Sequence, residues 1–184
     1  MKEFLGDVDK HPHKYGIQGP NPKYWEKYQR GERKGINGLQ KFCKEAQARG
    51  EYDMPNPLVA IGCLPGEGEA IVNMAHIKLI DATNNIDLTK AEVIGSGYVW
   101  KTIDFLRKYV KGFKNARVSE IAPFLGIRET RRIICEHILH EDEMVACKKF
   151  EERIAMGGRG VDIHDPPPDN SQSSLYMRFP DGYY

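Results

Sequence analysis

The chain has 184 residues, 40% of them hydrophobic and 29% charged, a composition typical of a soluble globular protein with a substantial core. Its 27 Lys and Arg residues are balanced by 26 Asp and Glu residues, which argues against nucleic acid as the main partner because phosphate-binding proteins carry a marked basic excess. No run of about 20 apolar residues is present, so no membrane span is predicted.

The N-terminal segment MKEFLGDVDKHPHKYG lacks the apolar stretch of a secretory signal. The four cysteines, Cys43, Cys63, Cys135 and Cys147, are widely separated. Without a secretory signal, reduced thiols are expected. We therefore predict a cytoplasmic protein, unless a fragment has lost its targeting signal.

Residues 1–57 are polar and interrupted by Gly and Pro, which predicts a loop-rich part with one helix. That helix is predicted within Gly38–Arg49, where apolar residues recur at helical spacing. We interpret Tyr24, Trp25 and Tyr28 as aromatic side chains that attach this part to the core.

Residues 58–164 form the predicted sheet-and-helix core. Apolar runs at 58–64 and 70–80 predict two strands joined by a glycine-rich turn. The turn sequence PGEGE lacks the spacing of the GxGxxG motif and of a Walker loop, so it is not interpreted as a phosphate site.

The longest helix is predicted to begin near Asp87 and to stop at Gly112. Its apolar residues recur at helical spacing: Ala91, Ile94, Val99, Ile103, Leu106 and Val110. Gly95 and Gly97 lie inside this helix and indicate a kink, a later start or a close backbone contact.

Beyond this helix the pattern predicts strands at 116–122 and 127–139, a helix at 141–155 and a short strand at 161–164. Residues 165–184 are predicted to be a loop and a tail. The expected fold class is α+β, a single domain in which helices pack on a mixed or mainly antiparallel sheet of about five strands.

Three arginines lie within five positions. If 127–139 is a strand, Arg128 and Arg132 share one face about 13 Å apart, and Arg131 lies on the other. That separation predicts divided roles, in which one arginine binds an anion while another pairs with an acid such as Glu129 or Glu136. The alternative is that all three arginines form structural ion pairs.

Cys135, His137 and His140 form a C-x-H-x-x-H pattern, with Cys147 farther along. The spacing fits no common structural zinc site, and buried cysteines with surface histidines are an ordinary arrangement. No metal site is predicted.

His164 lies at the end of a predicted strand between Asp162 and Asp165. Nearby carboxylates can tune a histidine for proton transfer. The alternative is a histidine that caps the turn before the following prolines.

The segment GFKNARVSEIAPFLGIRETRRIICEHILHEDE and the later VDIHDP resemble bacterial FAD-dependent oxidoreductases, which combine a Rossmann-like FAD-binding half with a substrate or cap domain. NMAHIKLIDATNNIDLTKAE, FLRKYVKGF and FLGDVD are similar to other stretches of that family. The resemblance is strongest over 71–164. The chain departs from the family in lacking GxGxxG, and in having Cys135 where Gly is usual and His137 where Tyr is usual.

The resemblance implies that the parent protein is a flavoprotein that oxidises or reduces a small organic substrate. This chain would be its substrate-binding domain or a fragment, with FAD bound in the parent and none expected in the isolated chain. Arg128 and Arg132 would recognise an anion or stabilise charge, and His164 would transfer a proton. The expected partners are an FAD-binding domain or subunit, the substrate and a second copy of the chain. The alternative is a non-enzymatic module that pairs with a separate FAD-binding chain.

Overall fold

The structure, a computed structural model, describes the following residues: 1–18, 23–32, 34–54, 59–64, 68–73, 76–128, 130–157, 161–165 and 173–177. The chain divides into two compact units, Met1–Arg128 and Glu129–Tyr184. The predicted combination of helices with antiparallel strands is confirmed.

The N-terminal part of the first unit carries more regular structure than predicted. It contains α1 (Lys2–Lys10), a 3-10 helix (Pro12–Tyr15) and α2 (Tyr24–Gln29). Phe4, Leu5 and Val8 of α1 are fully buried, and their spacing of three to four residues places them on one helical face. Polar residues lie between these positions, so the sequence pattern did not predict this short apolar stripe.

The helix predicted within Gly38–Arg49 is confirmed as α3 (Gln40–Ala48), which directly follows β1 (Lys34–Gly38). Phe42, Cys43 and Ala46 form its buried face. The apolar spacing in the sequence therefore identified the face that packs on the core.

Three strands form an open antiparallel sheet in the order β1–β2–β3, with β2 at Val59–Cys63 and β3 at Ala70–Asn73. Cys63 pairs with Ala70, which confirms the hairpin that was predicted around PGEGE. β3 stops before the predicted end at residue 80, and Leu79 is exposed with a φ of 58°. That left-handed conformation is incompatible with a strand.

The longest helix, α4, runs without interruption from Asn85 to Tyr109. The Asn84 side chain accepts a hydrogen bond from the Ile86 N–H at 2.9 Å, so Asn84 rather than Asp87 is the N-cap. α4 passes through Gly95 without a break. An added Cβ there would lie 3.2 Å from Ile77 Cδ1, so close packing accounts for this glycine.

The core lies between α1, the sheet, α3 and the C-terminal half of α4. The largest fully buried side chains belong to these parts and to the segments beside them: Tyr15, Phe4, Leu5, Leu39, Met54, Ile61, Leu106, Val8, Val59, Cys43 and Cys63. Tyr24, Trp25 and Tyr28 pack against this core while partly buried, so their predicted attachment role is confirmed.

The strands predicted at 116–122 and 127–139 are wrong, because the residues described in both ranges form no strand. Ile133 and Ile134 are 85% and 101% exposed. The preference of isoleucine for strands reflects packing on a half-buried surface, which these side chains lack here. A strand also needs a neighbour that pairs its N–H and C=O groups, and none pairs with the described part of these ranges.

In the second unit, α5 covers only Glu141–Val145, so the helix predicted at 141–155 is shorter than expected. Cys147 has a φ of 51°, a left-handed conformation that a helix cannot continue through.

The strand predicted at 161–164 is confirmed as β4 (Val161–Asp165), and it pairs with β5 (Ser173–Met177) in a stretch predicted to be loop. The five strands of the described residues thus form two sheets, of three and two strands, rather than one.

Candidate functional site

The predicted arginines lie on non-regular backbone. Arg128, Arg131 and Arg132 are all exposed. Arg128 is the last residue of the first unit, and Arg132 belongs to the second. Because 127–139 is not a strand in its described part, the strand alternation that placed Arg128 and Arg132 on one face does not apply. Their roles in anion binding stay predictions.

The structure describes only some of the other predicted site residues. His164 lies in β4, where its register partner is Ser174, and its role in proton transfer stays a prediction. Glu136 is exposed. Glu129, the other acid predicted to pair with an arginine, lies outside the described residues.

Close to the arginine segment, the structure assembles a polar cluster that the sequence did not predict. Glu143 Oε1 contacts Lys148 Nζ at 2.6 Å, and its Oε2 lies 2.9 Å from His137 Nε2. The backbone N–H of His140 also donates to Glu143 Oε2 at 3.2 Å. In the sequence, the acidic run EDE lies beside two histidines. The contact with Lys148, however, forms only because the chain turns after α5.

The electrostatics of this cluster keep Glu143 ionised. The hydrogen bond from Lys148 and that from the His140 N–H lower the pKa of Glu143 to about 2. A carboxylate that stays charged holds the His137 ring in place through its 2.9 Å contact with Nε2. The His137 ring also lies 5.3 Å from the Phe150 ring, so the imidazole has one polar and one apolar neighbour.

The cysteines of the second unit contribute no metal site to this cluster. Cys135 is exposed and Cys147 is buried. Within the described residues, no group of three or more His, Cys, Asp or Glu side chains is arranged to hold a metal ion.

A second polar cluster, in the first unit, surrounds the buried Asp7. The Tyr15 hydroxyl donates to Asp7 Oδ2 at 2.7 Å. Lys14 Nζ and His11 Nδ1 each lie 3.3 Å from the carboxylate, and Lys111 Nζ lies 3.8 Å from it. Burial raises the pKa of Asp7, but the hydrogen bonds from Tyr15 and Lys14 and the nearby cations outweigh burial and lower it.

Asp7 therefore joins α1, the 3-10 helix and the segment that follows α4. Burial and the bond to Asp7 raise the pKa of the Tyr15 hydroxyl, so this hydroxyl stays protonated and donates. Asp9, two residues on, accepts from the Tyr24 and Trp25 N–H groups at 2.7 and 2.9 Å. Both acids of the FLGDVD segment thus hold elements together, which is a structural task.

The remaining thiols are suited to packing rather than to nucleophilic chemistry. Cys43 and Cys63 are fully buried. Burial raises the pKa of each thiol to about 11, so the reactive thiolate is scarce at neutral pH.

Comparisons with known proteins identify one family. The sequence model of the FAD dependent oxidoreductase family matches residues 6–184. No curated protein and no solved structure matches the chain. Among the described helices, none combines the length and the apolar character that a membrane crossing requires.

The described residues do not fit a dinucleotide cradle. Such a cradle consists of a strand, a glycine-rich turn and a helix within a parallel sheet, and its glycines leave space for the pyrophosphate. The first-unit sheet is antiparallel, and an added Cβ at Gly38 or Gly112 would meet the backbone of Tyr15 or Phe4. At Gly38 and Gly112 this chain's own backbone therefore occupies the space beside the glycine, so neither residue leaves room for a pyrophosphate.

Proposed function

The chain belongs to the FAD dependent oxidoreductase family, and on that premise we propose that it forms the substrate-binding part of such an enzyme. The observation that carries this proposal is a family match over residues 6–184 in a sequence without a GxGxxG motif. FAD would then be held by another segment or subunit, and this chain would bind and orient a small organic substrate.

Arg128 and Arg132 are the proposed anion-binding residues. Both residues are exposed, and a guanidinium forms strong charge-assisted bonds with a carboxylate. Because the two residues belong to different units, each is proposed on its own. His164 is the proposed proton carrier.

The test of this proposal is the cofactor content of the purified chain. We expect a colourless protein without the visible absorbance of flavin, because the sequence lacks the GxGxxG motif that cradles the pyrophosphate. When FAD is titrated in, the flavin emission should rise in proportion to the FAD added, as it does in buffer. A chain that retains stoichiometric flavin by itself would contradict the proposal, since FAD binding would then need no separate nucleotide fold.

A second candidate is a non-enzymatic module that only pairs with an FAD-binding chain. The adjacent side chains Ile133 and Ile134 of the second unit, which are 85% and 101% exposed, favour it, because contiguous exposed apolar surface often marks a contact site. Adding a separately produced FAD-binding segment of the same family distinguishes the two candidates. Restored flavin reduction by substrate supports the substrate-binding part, whereas binding without flavin reduction supports the module.

A further inference from the structure

Helix α4 has two apolar faces, of which only one packs on the core. The exposed face carries Ile86, Val93 and Trp100, which are 67%, 69% and 55% exposed. Their spacing of seven residues is close to two helical turns, so they form one line about 21 Å long at roughly 1.5 Å per residue. Ala91 and Leu106, which are buried, lie on the opposite side of the helix.

Gly97 lies on the exposed apolar line, between Val93 and Trp100. An added Cβ at Gly97 would have no atom within 4 Å, so this glycine does not serve packing inside the described chain. A helix surface without a side chain at its centre allows another helix backbone to approach closely.

Two ion pairs near the ends of this face are symmetric about Gly97. Lys90 and Asp104 are each seven residues from it, and Asp87 and Arg107 are each ten residues from it. Within one chain, Lys90 pairs with Asp87 at 2.9 Å and Arg107 pairs with Asp104 at 3.3 Å. Each end of the face thus presents one ion pair, and Lys108, which lies on the same side of α4, pairs with Glu51 at 2.8 Å.

We propose that the exposed face of α4 is the interface of a two-fold symmetric dimer, in which α4 packs antiparallel on α4 of a second copy, centred on Gly97. This pairing places Lys90 opposite the partner's Asp104, and Asp87 opposite the partner's Arg107. Because the dimer is two-fold symmetric, each of these charge pairs occurs twice. A parallel pair would instead place equal charges opposite each other, which is unfavourable.

The apolar residues fit the same arrangement. Val93 precedes Gly97 by four residues and Trp100 follows it by three, so an antiparallel helix pair brings Val93 of one copy to the partner's Trp100 on each side of the centre. Trp100 is the aromatic anchor, a residue type that contributes strongly to interfaces. The self-complementary charges identify the occupant as a second copy of this chain, and the inference does not depend on the proposed redox role.

The first test is a charge exchange, measured by sedimentation of the 184-residue chain over a range of concentrations. Lys90→Glu and Asp104→Lys should each raise the dimer dissociation constant at least fivefold, because each variant places equal charges opposite each other twice. The double variant, Lys90→Glu with Asp104→Lys, should restore most of the wild-type affinity. Restoration is specific to the antiparallel pairing, since a parallel pair would be unaffected by either single change.

The second test is a cross-link at the symmetry centre. In a Cys135→Ser background, which removes the exposed native thiol, Gly97→Cys should form an intermolecular disulfide under mild oxidation. Thr89→Cys is the matched control: Thr89 is also exposed on α4, but its two copies would lie about 24 Å apart, 16 residues at roughly 1.5 Å each. A control that cross-links as readily as Gly97→Cys would contradict the antiparallel pairing.

Trp100→Ala should raise the dissociation constant at least tenfold. Circular dichroism of each variant checks that the helix is retained, which is expected because the changed side chains are exposed. A wild-type chain that stays monomeric at every concentration would overturn the proposal. If Trp100→Ala instead weakens only the binding of a separate FAD-binding segment, the face is a contact between different chains and the proposal is wrong.

Discussion

At the scale of single residues, the arginine segment tests the proposed function most directly. Arg128→Met and Arg132→Met retain the apolar stem and remove the guanidinium. In a complete enzyme we expect kcat/KM to fall at least tenfold for at least one of them. The loss of a charge-assisted contact with substrate amounts to about 1.5–3 kcal/mol. Melting temperature and turnover are measured on the same variants.

Arg131→Met is the matched control, because Arg131 is also exposed and is not proposed to bind substrate. It should leave both melting temperature and turnover nearly unchanged. If Arg128→Met and Arg132→Met lower the melting temperature sharply while activity per folded molecule is unchanged, the arginines are structural ion pairs.

At the scale of elements, the start of α4 shows how a helix cap is selected. Asp87 lies in the first turn, where a negative charge is favourable, but its carboxylate pairs with Lys90. Asn84 has an extended backbone conformation and accepts the Ile86 N–H, as an N-cap must. Both residue types suit a helix start, so sequence spacing alone could not choose between them.

We therefore expect Asn84→Ala to lower the free energy of unfolding by about 1 kcal/mol. Asp87→Ala should lower it by only about 0.5 kcal/mol or less, because it removes an exposed ion pair. Urea denaturation of dilute protein measures both. Equal losses, or a larger loss for Asp87→Ala, would contradict the assignment of Asn84 as the cap.

At the scale of the whole molecule, the Asp7 cluster links the pH to folding stability. The pKa of Asp7 is lowered in the folded protein, so its ionised form stabilises the fold. This contribution is complete above the unfolded-state pKa of about 3.9, and it is lost as the pH falls through the lower folded-state pKa. Tyr15, Lys14, His11 and Lys111 are the groups that face the carboxylate.

Asp7→Asn should lower the free energy of unfolding by about 1–3 kcal/mol at pH 7, because it removes a buried charge-assisted acceptor. The difference from wild type should shrink in acid. Asp53→Asn is the control: the Asp53 carboxylate also has a lowered pKa, caused mainly by Lys101, but it is exposed, so its loss should have little effect. Unfolding followed from pH 2 to 7 makes the comparison. An Asp7→Asn variant with the wild-type profile would contradict this account.

The sequence by itself determined the features that depend on local periodicity and on specific motifs. Local side-chain patterns predicted four of these features: the apolar faces of α3 and α4, the β2–β3 hairpin and strand β4. Such patterns depend on neighbouring residues in the sequence and not on the partner that the element packs against. The GIRETRRI segment and the stretches around it carried the resemblance to the FAD-dependent oxidoreductases, and the family match agrees with that resemblance.

Only the tertiary structure decided which candidate segments became regular elements. The isoleucines at 133 and 134 suit a strand, but a strand forms only where a neighbour pairs with it, and pairing joins residues that are distant in the sequence. β3 and α5 are likewise shorter than predicted, and the predicted ranges contain left-handed residues, Leu79 and Cys147, whose conformations come from their surroundings. The cluster around Glu143 and the second apolar face of α4 also became visible only in three dimensions, because contact and exposure are properties of the folded chain.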